Sequence, residues 1–274
     1  MTPVTRENYY SPELQWEYMG STQYKAFQNC EAAALAQLKG EYKPPVTTAL
    51  LVGGYIDAHF SGEMNEFRRD HPEIFKRDGT LKAEYSHADK IISRMESDRL
   101  YSLLMSGKKQ VIRTGMIAGV PFKIRVDSLL DSSICQTIVN EFPEAAEALG
   151  MCDGAIVDQK AMRDLAPVWS DEEHRKVSFV EAWGYDTQGA IYQEIEGNML
   201  PFILAPGTKE ESPDLAALYV SDEDLAAKLA EVEDNAPRYQ AIKQGKIAPI
   251  RCGKCAYCRS TKKLTGIIDY KSLE

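Results

Sequence analysis

The sequence predicts an α/β (α+β) fold in which helices flank one central mixed sheet. Helical patterns fill roughly the first hundred residues, a period-two apolar pattern follows, and strand and helix patterns then alternate. Elements of both kinds bury their apolar faces when they are layered around one sheet. A chain of 274 residues is long enough for a single domain over residues 1–274, with a cysteine-containing tail at 245–274.

Three helices are predicted in the first part of the chain. The Ala- and Leu-rich run 25–38 has high helix propensity. Thr47 or Thr48 can cap a second helix that continues through Phe60, and apolar spacing predicts a third over 86–105. The first two dozen residues, rich in Tyr and Pro, are expected to wrap the surface.

A β-hairpin is predicted next. Residues 110–117 and 120–130 alternate in polarity around Ala118-Gly119, which is typical of a turn. In the second strand Lys123, Arg125 and Asp127 share one face, because alternate residues of a strand point the same way.

The rest of the chain is predicted to alternate strands and helices. The predicted elements are a strand at 154–162, a helix from about 171 to 194, a hairpin between 199 and 220, and a helix to about 243 that Ser221 caps.

Composition favours a globular protein and places few limits on its partner. The net charge of −9 excludes a purely electrostatic DNA-coating protein, although one basic groove can still exist on an acidic chain. No apolar run approaches the roughly 20 residues that span a bilayer, and the N-terminus lacks the pattern of a secretory signal. We therefore expect a cytoplasmic protein without membrane contacts.

Two carboxylates and a lysine carry the clearest chemistry. Asp158 and Lys160 are two residues apart in a predicted strand and therefore project side by side, and Asp127 is on the preceding hairpin. Carboxylates at neighbouring strand ends can bind Mg²⁺ or Mn²⁺, and an adjacent lysine can stabilise charge developing on a phosphate. These are the parts that phosphodiester hydrolysis needs.

The same pattern also has a simpler interpretation. An isolated Asp-x-Lys is commonly a surface ion pair, and a second copy stands at Asp269 and Lys271. We favour the first copy because an acidic strand precedes it and a helix follows it, whereas the second lies near the end of the sequence.

Polar residues on two predicted helices extend the candidate site. Gln188 and Tyr192 are four apart and share a helix face, on a helix that also carries Tyr185. His59 ends an apolar helix, from which it can point into a cleft, although a lone histidine is more often a core or surface residue.

The order of these motifs resembles the RecB-like branch of the PD-(D/E)xK nucleases. From 120 to 192 the chain is especially similar to the RecE-type exonucleases of phages and prophages, which share the x-Arg-x-Asp strand, the Val-Asp-x-Lys strand and Gln-x-x-x-Tyr. The similarity covers roughly 22–192. One departure is Ala161-Met162, where that family usually has Thr residues.

This resemblance implies a restriction-endonuclease-like sheet and a role for each motif residue. His59, Asp127 and Asp158 are implied metal ligands, and Lys160 is the implied catalytic cation. The remaining residues are implied to line the DNA side of the cleft, namely Gln188, Tyr192, Arg125 and Tyr185. It further implies 5′-to-3′ digestion of linear double-stranded DNA in recombination, beside a single-strand annealing protein, with a ring-shaped homo-oligomer as one fitting assembly.

The cysteines predict an inorganic centre. Cys252, Cys255 and Cys258 have the C-x₂-C-x₂-C spacing that can hold an iron–sulfur cluster, and Cys30 is the candidate fourth ligand. This set resembles iron-staple nucleases, in which a [4Fe–4S] cluster ties the chain ends together, so the tail is expected to pack on the N-terminal helix. Zinc on four thiolates and free thiols are the alternatives. Cys135 and Cys152 are expected to be ordinary buried thiols.

Three functions therefore remain open from the sequence. The first is a metal-dependent DNA exonuclease, and the second is a catalytically inactive DNA-end-binding or structural protein that kept the fold. The third is an iron–sulfur or zinc protein whose carboxylate pattern is coincidental. Magnesium-dependent digestion of linear DNA separates the first from the other two.

Overall fold

A five-stranded mixed sheet lies at the centre of the computed structural model, which describes residues 1–171, 173–267, 269 and 271. Its strands are β1 (Lys108–Ile117), β2 (Val120–Asp131), β3 (Gly154–Met162), β6 (Phe202–Thr208) and β7 (Leu218–Val220). They lie in the order β1-β2-β3-β6-β7, with β3 and β6 parallel and the other pairs antiparallel. A separate hairpin consists of β4 (Val168–Ser170) and β5 (Arg175–Val177).

Helices cover both faces of this sheet. In chain order they are α1 (Pro12–Glu17), α2 (Ser21–Asn29), α3 (Glu31–Leu38), α4 (Thr48–Ser61), α5 (Met64–Asp70), α6 (His87–Ser97), α7 (Arg99–Leu104), α8 (Ser132–Glu141), α9 (Ala146–Leu149), α10 (Phe179–Ala182), α11 (Tyr185–Glu196), α12 (Asp222–Lys243) and α13 (Ala256–Ser260). No helix within the described residues combines the length and hydropathy that a membrane span requires.

The sheet separates two apolar cores. Ile156 of β3 packs with residues of α2, α3, α11 and α12, whereas its neighbours Ala155 and Val157 pack with residues of α4, α6, α7 and α8. Successive strand side chains point to opposite faces, so the apolar run from Ala155 to Val157 is covered on both sides of the sheet. The predicted layered fold is confirmed.

Several predicted elements are confirmed with their caps and turns. Ala118 and Gly119 both have positive φ, 46° and 76°, which matches the twist of a tight hairpin between β1 and β2. The Thr47 side chain accepts a hydrogen bond from the Leu50 backbone, and Ser221 accepts one from Asp224. Both side chains satisfy donors that the first helical turn leaves free.

Three helix predictions were wrong in their continuity. The helix over 25–38 is two helices, because Cys30 has extended backbone between α2 and α3. The helix over 86–105 is interrupted at Asp98, whose side chain caps α7 by accepting from the Tyr101 backbone. The helix expected from 171 is replaced by β5 and α10, and α11 starts only after Gly184, with φ of +60°.

The N-terminal segment is more deeply integrated than expected. Met19 is fully buried and bridges to β2, since its backbone N–H donates to Pro121 and its carbonyl accepts from Lys123. The buried ammonium groups of Lys123 and Lys243 donate to the carbonyls of Tyr9 and Tyr18. The segment therefore pairs with the part of β2 that is not paired with β3.

Candidate active site

The central feature of the site is a fork between β2 and β3. Their ladder ends at the pair Ser128 and Val157, and Asp127 and Asp158 are the next residue on each strand. The Asp127 Oδ2 atom accepts a hydrogen bond of 3.0 Å from the backbone N–H of Gln159. This bond places Asp127 directly against the Asp158 strand, inside both strands rather than at the strand ends that the sequence predicted.

Asp158 is buried and held from two sides. Its Oδ1 atom accepts a hydrogen bond of 2.6 Å from the Gln188 side-chain amide. Its Oδ2 atom is in ion-pair contact with the Lys160 ammonium. The Asp-x-Lys side chains therefore lie together, and the Gln of Gln-x-x-x-Tyr reaches them from α11.

Burial makes this arrangement electrostatically unfavourable without a cation. Burial first, and then the neighbouring carboxylate of Asp158, raises the pKa of Asp127 from 3.8 to about 7. Burial alone would lower the pKa of Lys160, but the carboxylates of Asp158 and Asp127 raise it above its ordinary value. One lysine partly compensates two buried carboxylates.

The donor atoms fit a hard divalent cation. The side-chain oxygens of Gln159 and Gln110 are buried and have no hydrogen-bond donor among the described residues. Gln110 lies beside Asp127, with its amide nitrogen 3.5 Å from Oδ1. Gln110 turns its amide nitrogen towards Asp127, and Gln159 follows Asp158 in β3 and so points to the other face of the strand. The carboxylates of Asp127 and Asp158 are therefore the side chains that suit Mg²⁺ or Mn²⁺, which prefer oxygen ligands.

Helix α4 brings Asp57 to this site and turns His59 away. Asp57 lines the cleft together with Gly53 and Gly54, and the charges of Lys160 and Asp158 both influence its carboxyl pKa, which burial raises. His59 instead contacts Glu96 on α6, with Nε2 2.7 Å from the carboxylate. Two residues correspond to about 200° around a helix, so the two side chains cannot share a face.

The predicted residues of α11 divide into different contacts. Gln188 contacts Asp158, whereas the Tyr192 hydroxyl donates a hydrogen bond of 3.1 Å to the backbone carbonyl of Arg125. The second bond holds β2 against α11. A Cβ atom on Gly189 would lie 2.6 Å from the Phe202 ring, so glycine permits the close approach of α11 to the sheet. That approach allows the Gln188 side chain to span the distance to the fork.

Arg125 is bound by acidic side chains of the α4 region. Its guanidinium lies 3.4 Å from Glu63 and 3.8 Å from Asp57, and it stacks over the rings of Tyr9 and Tyr10. With these partners it positions Asp57 beside the fork.

Lys25 is a second cation at the fork that the sequence did not reveal. Its ammonium donates one hydrogen bond of 3.4 Å to the side-chain oxygen of Gln188 and one of 3.3 Å to the backbone carbonyl of Trp183, and it lies 5.2 Å from the centre of the Tyr185 ring. Lys160 lies 5.6 Å from the same ring centre. Burial, and then the charge of Lys160, lowers the pKa of Lys25 to about 8.

The fork opens into a cleft of about 1600 Å³. This volume exceeds the roughly 300–1000 Å³ of sites for small molecules. Basic side chains outnumber acidic ones along its wall, in a chain whose net charge is −9. The basic ones are Lys25, Lys123, Arg125, Lys160, Arg163 and Lys209, and the acidic ones are Asp57, Asp127, Asp158 and Asp164.

A second cluster, here called the thiol group, comprises Cys30, Cys252, Cys255 and Cys258. Their Sγ atoms all lie within 4.8 Å of one another, which could hold a metal ion. The backbone N–H of Cys255 lowers the pKa of the Cys252 thiol to about 6. Cys135 and Cys152 are free thiols elsewhere, of which Cys135 is buried and Cys152 half-buried.

The second Asp-x-Lys copy is not part of the cleft wall as far as it is described. Asp269 and Lys271 are exposed, and residue 270 between them lies outside the described residues. The prediction that the first copy is the functional one remains a prediction.

Comparison with known proteins agrees with this architecture. The sequence profile described as a PDDEXK-like domain of unknown function matches residues 20–136 and 149–261. A crystal structure from Eubacterium rectale, named "Putative exonuclease", is 38% identical, with a TM-score of 0.85 over 100% of this chain and 98% of that one. No curated protein matches. The sheet and its flanking helices have the restriction-endonuclease-like fold, and the chain belongs to the PDDEXK-like domain family.

Proposed function

We propose that this protein is a divalent-cation-dependent deoxyribonuclease that hydrolyses phosphodiester bonds in the cleft above the fork. The observation that carries the proposal is the buried pair Asp127 and Asp158 with Lys160 in contact. Membership of the PDDEXK-like family and the name of the Eubacterium rectale protein support it.

Asp127 and Asp158 would hold the cation, with Asp57 as a third carboxylate on the cleft wall. A bound Mg²⁺ or Mn²⁺ supplies a nucleophilic water at neutral pH and stabilises negative charge on the phosphate. Gln188 orients Asp158 through the hydrogen bond to Oδ1. Lys160 neutralises charge on the phosphate oxygens from its place beside Asp158.

The cleft suits a nucleic acid better than a small molecule. Its volume and its excess of basic side chains match a chain of phosphates. Lys25, which is less than fully charged near neutral pH, lies next to Lys160 and can contact a phosphate adjacent to the one that is cleaved. Tyr185 positions both ammonium groups over its ring.

The finer proposal is a 5′-to-3′ exonuclease on linear double-stranded DNA. It rests on the similarity to RecE-type enzymes, which also suggests a recombination role in a phage or prophage beside an annealing protein. A protein that binds DNA ends without cleaving them is the second candidate. The complete set of Asp127, Asp158 and Lys160 supports cleavage over that candidate.

Digestion of linear and circular duplexes with Mg²⁺ tests both levels of the proposal. We expect the wild type to degrade the linear duplex from its 5′ ends and to leave the closed circle intact. The variants Asp158→Asn and Lys160→Met should be inactive, while the matched motif variants Asp269→Asn and Lys271→Met should retain activity. Equal digestion by wild type and Asp158→Asn would exclude this active site, and binding without cleavage would favour the second candidate.

A further inference from the structure

The thiol group joins two distant parts of the chain. Cys30 is the residue between α2 and α3, and the other three cysteines lie on the segment that leads into α13. Cys30 and Cys258 are 228 positions apart, and their sulfurs are 3.6 Å apart. Cys252 Sγ lies 3.9 Å from Cys258 Sγ, and all four sulfurs lie within 4.8 Å of one another.

These separations distinguish two kinds of inorganic centre. Four sulfurs bound about 2.3 Å from one Zn²⁺ form a tetrahedron with edges of about 3.8 Å. In a [4Fe–4S] cluster each cysteine sulfur binds a different iron at a corner of the cube. The cysteine sulfurs are therefore farther apart than around a single ion, at roughly 6 Å. The sulfurs here are too close together for the cube that the iron-staple resemblance implies.

We propose that the thiol group is a mononuclear tetrathiolate site for Zn²⁺ with a structural role. A closed set of four thiolates leaves no position for a substrate or water. Two of the sulfurs also accept backbone N–H groups, Cys252 from Cys255 and Cys255 from Cys258, each at 3.4 Å. These hydrogen bonds stabilise thiolates at the positions that a metal needs.

The surrounding charges fit such a site. Four thiolates and one Zn²⁺ carry a net charge of −2, which a partly buried site must compensate. The segment 251–263 contains five basic and no acidic side chains, although the chain as a whole is acidic. The basic residues are Arg251, Lys254, Arg259, Lys262 and Lys263.

The bound metal would fix one wall of the active-site cleft. Glu31, next to Cys30, accepts 2.6 Å and 2.9 Å hydrogen bonds from Arg238 and 2.6 Å from the Ile250 backbone. Helix α3 continues from this point to Gln37 and Leu38, which line the cleft. The metal therefore fastens the tail to the start of a helix whose other end faces the substrate.

Metal analysis of the full-length protein tests the proposal. We expect about one equivalent of zinc per chain after dialysis, with no acid-labile sulfide. Replacement by Co²⁺ should give the visible bands of a tetrahedral site and near-ultraviolet charge transfer from thiolates. Iron with sulfide and a brown colour would overturn the proposal, and so would failure of the metal-free protein to take up either ion.

A pair of variants assigns the metal to these sulfurs. Cys258→Ser should lose the zinc and melt at a lower temperature, whereas Cys152→Ser, at a half-buried thiol outside the group, should keep both. Zinc retained by Cys258→Ser would place the ion elsewhere and contradict the proposal. If Cys258→Ser does not fold, the thiolate charge-transfer band of the Co²⁺ wild type decides, because the carboxylates of the fork cannot produce it.

Discussion

The fork and the thiol group both bring acidic side chains together, but they differ in the type of ligand atom and in how far apart their residues lie in the sequence. The fork takes oxygens from two neighbouring strands of the rigid sheet, and it opens into a large cleft. The thiol group takes sulfurs from residue 30 and from a segment more than 200 positions later. Hard oxygen ligands suit an exchangeable Mg²⁺, whereas a closed set of thiolates suits a resident metal.

The two proposals assign catalysis to the fork and stabilisation of the fold to the thiol group. Carboxylates compressed in a buried fork repel one another, so the site is strained until a cation arrives. Thiolates that tie chain ends lower the free energy of the folded state when metal is bound. Substitutions at the fork should therefore lower activity and raise stability without metal, whereas substitutions at the thiol group should lower stability and leave the activity of the folded protein unchanged.

The largest effect is expected from Asp127→Asn. Activity should fall at least about 1000-fold, equivalent to ~4 kcal/mol of barrier, because a cation ligand is lost. Stability without metal should rise, because the pKa of Asp127 is raised to about 7 in the folded protein. That shift makes the wild type lose stability as pH rises from about 4 to 7, and the loss is complete above pH 7.

Thermal melting in EDTA at pH 8 measures the expected gain in stability of Asp127→Asn without metal. The control is Asp164→Asn, at another carboxylate of the cleft wall whose pKa is lowered by its hydrogen bond from Arg163. It should not gain stability. A lower melting temperature for Asp127→Asn would show that the fork is not strained.

Glu31→Gln should weaken the thiol region without touching the fork. Loss of the charged pair with Arg238 should cost about 1–2 kcal/mol, since the arginine is partly solvated. Activity per folded molecule should be unchanged. Urea denaturation measures the loss, with Glu141→Gln as control because its two hydrogen bonds from Arg99 lie on the exposed surface. Equal losses in both variants would remove the special role of Glu31.

Asp57 and His59 sharpen the comparison within one helix. Asp57→Asn should raise the Mg²⁺ concentration for half-maximal activity about 10-fold, or ~1.4 kcal/mol, because a carboxylate near the cation is neutralised. His59→Gln should change it little, since that ring contacts Glu96 outside the cleft. A Mg²⁺ titration that shows the reverse order would favour His59 over Asp57 as the ligand.

The smallest effect is expected at Lys243, the last residue of α12. Burial, and then the charge of Lys123, lowers the pKa of Lys243 from 10.5 to about 7. Between these values the unfolded chain binds more protons than the folded one, so stability should increase as pH rises from 7 towards 10. Lys243→Met should reduce that increase by on the order of 1 kcal/mol in urea denaturation at pH 7 and pH 9. An unchanged slope would show that Lys243 does not titrate in this range.

Local patterns in the sequence determined most of the strands and several caps. Period-two polarity located β1 and β2, and spacing of two placed Asp158 beside Lys160 in β3, because strand geometry is fixed over a few residues. The same locality explains the prediction that Gln188 and Tyr192 share a face. The clustered cysteines likewise predicted the thiol group, since their spacing is itself local except for Cys30.

Only the tertiary structure decided which face of each helix meets the fork. It placed Asp57 rather than His59 on the cleft wall because α4 packs on β3 in one rotation, and no pattern within an apolar helix specifies that rotation. It brought Lys25 to Lys160 across 135 positions through the packing of α2 on α11. The distances between the cysteine sulfurs were also decided by the tertiary structure. Spacing in the sequence indicates which thiols can come together, but it does not specify how far apart their sulfurs lie.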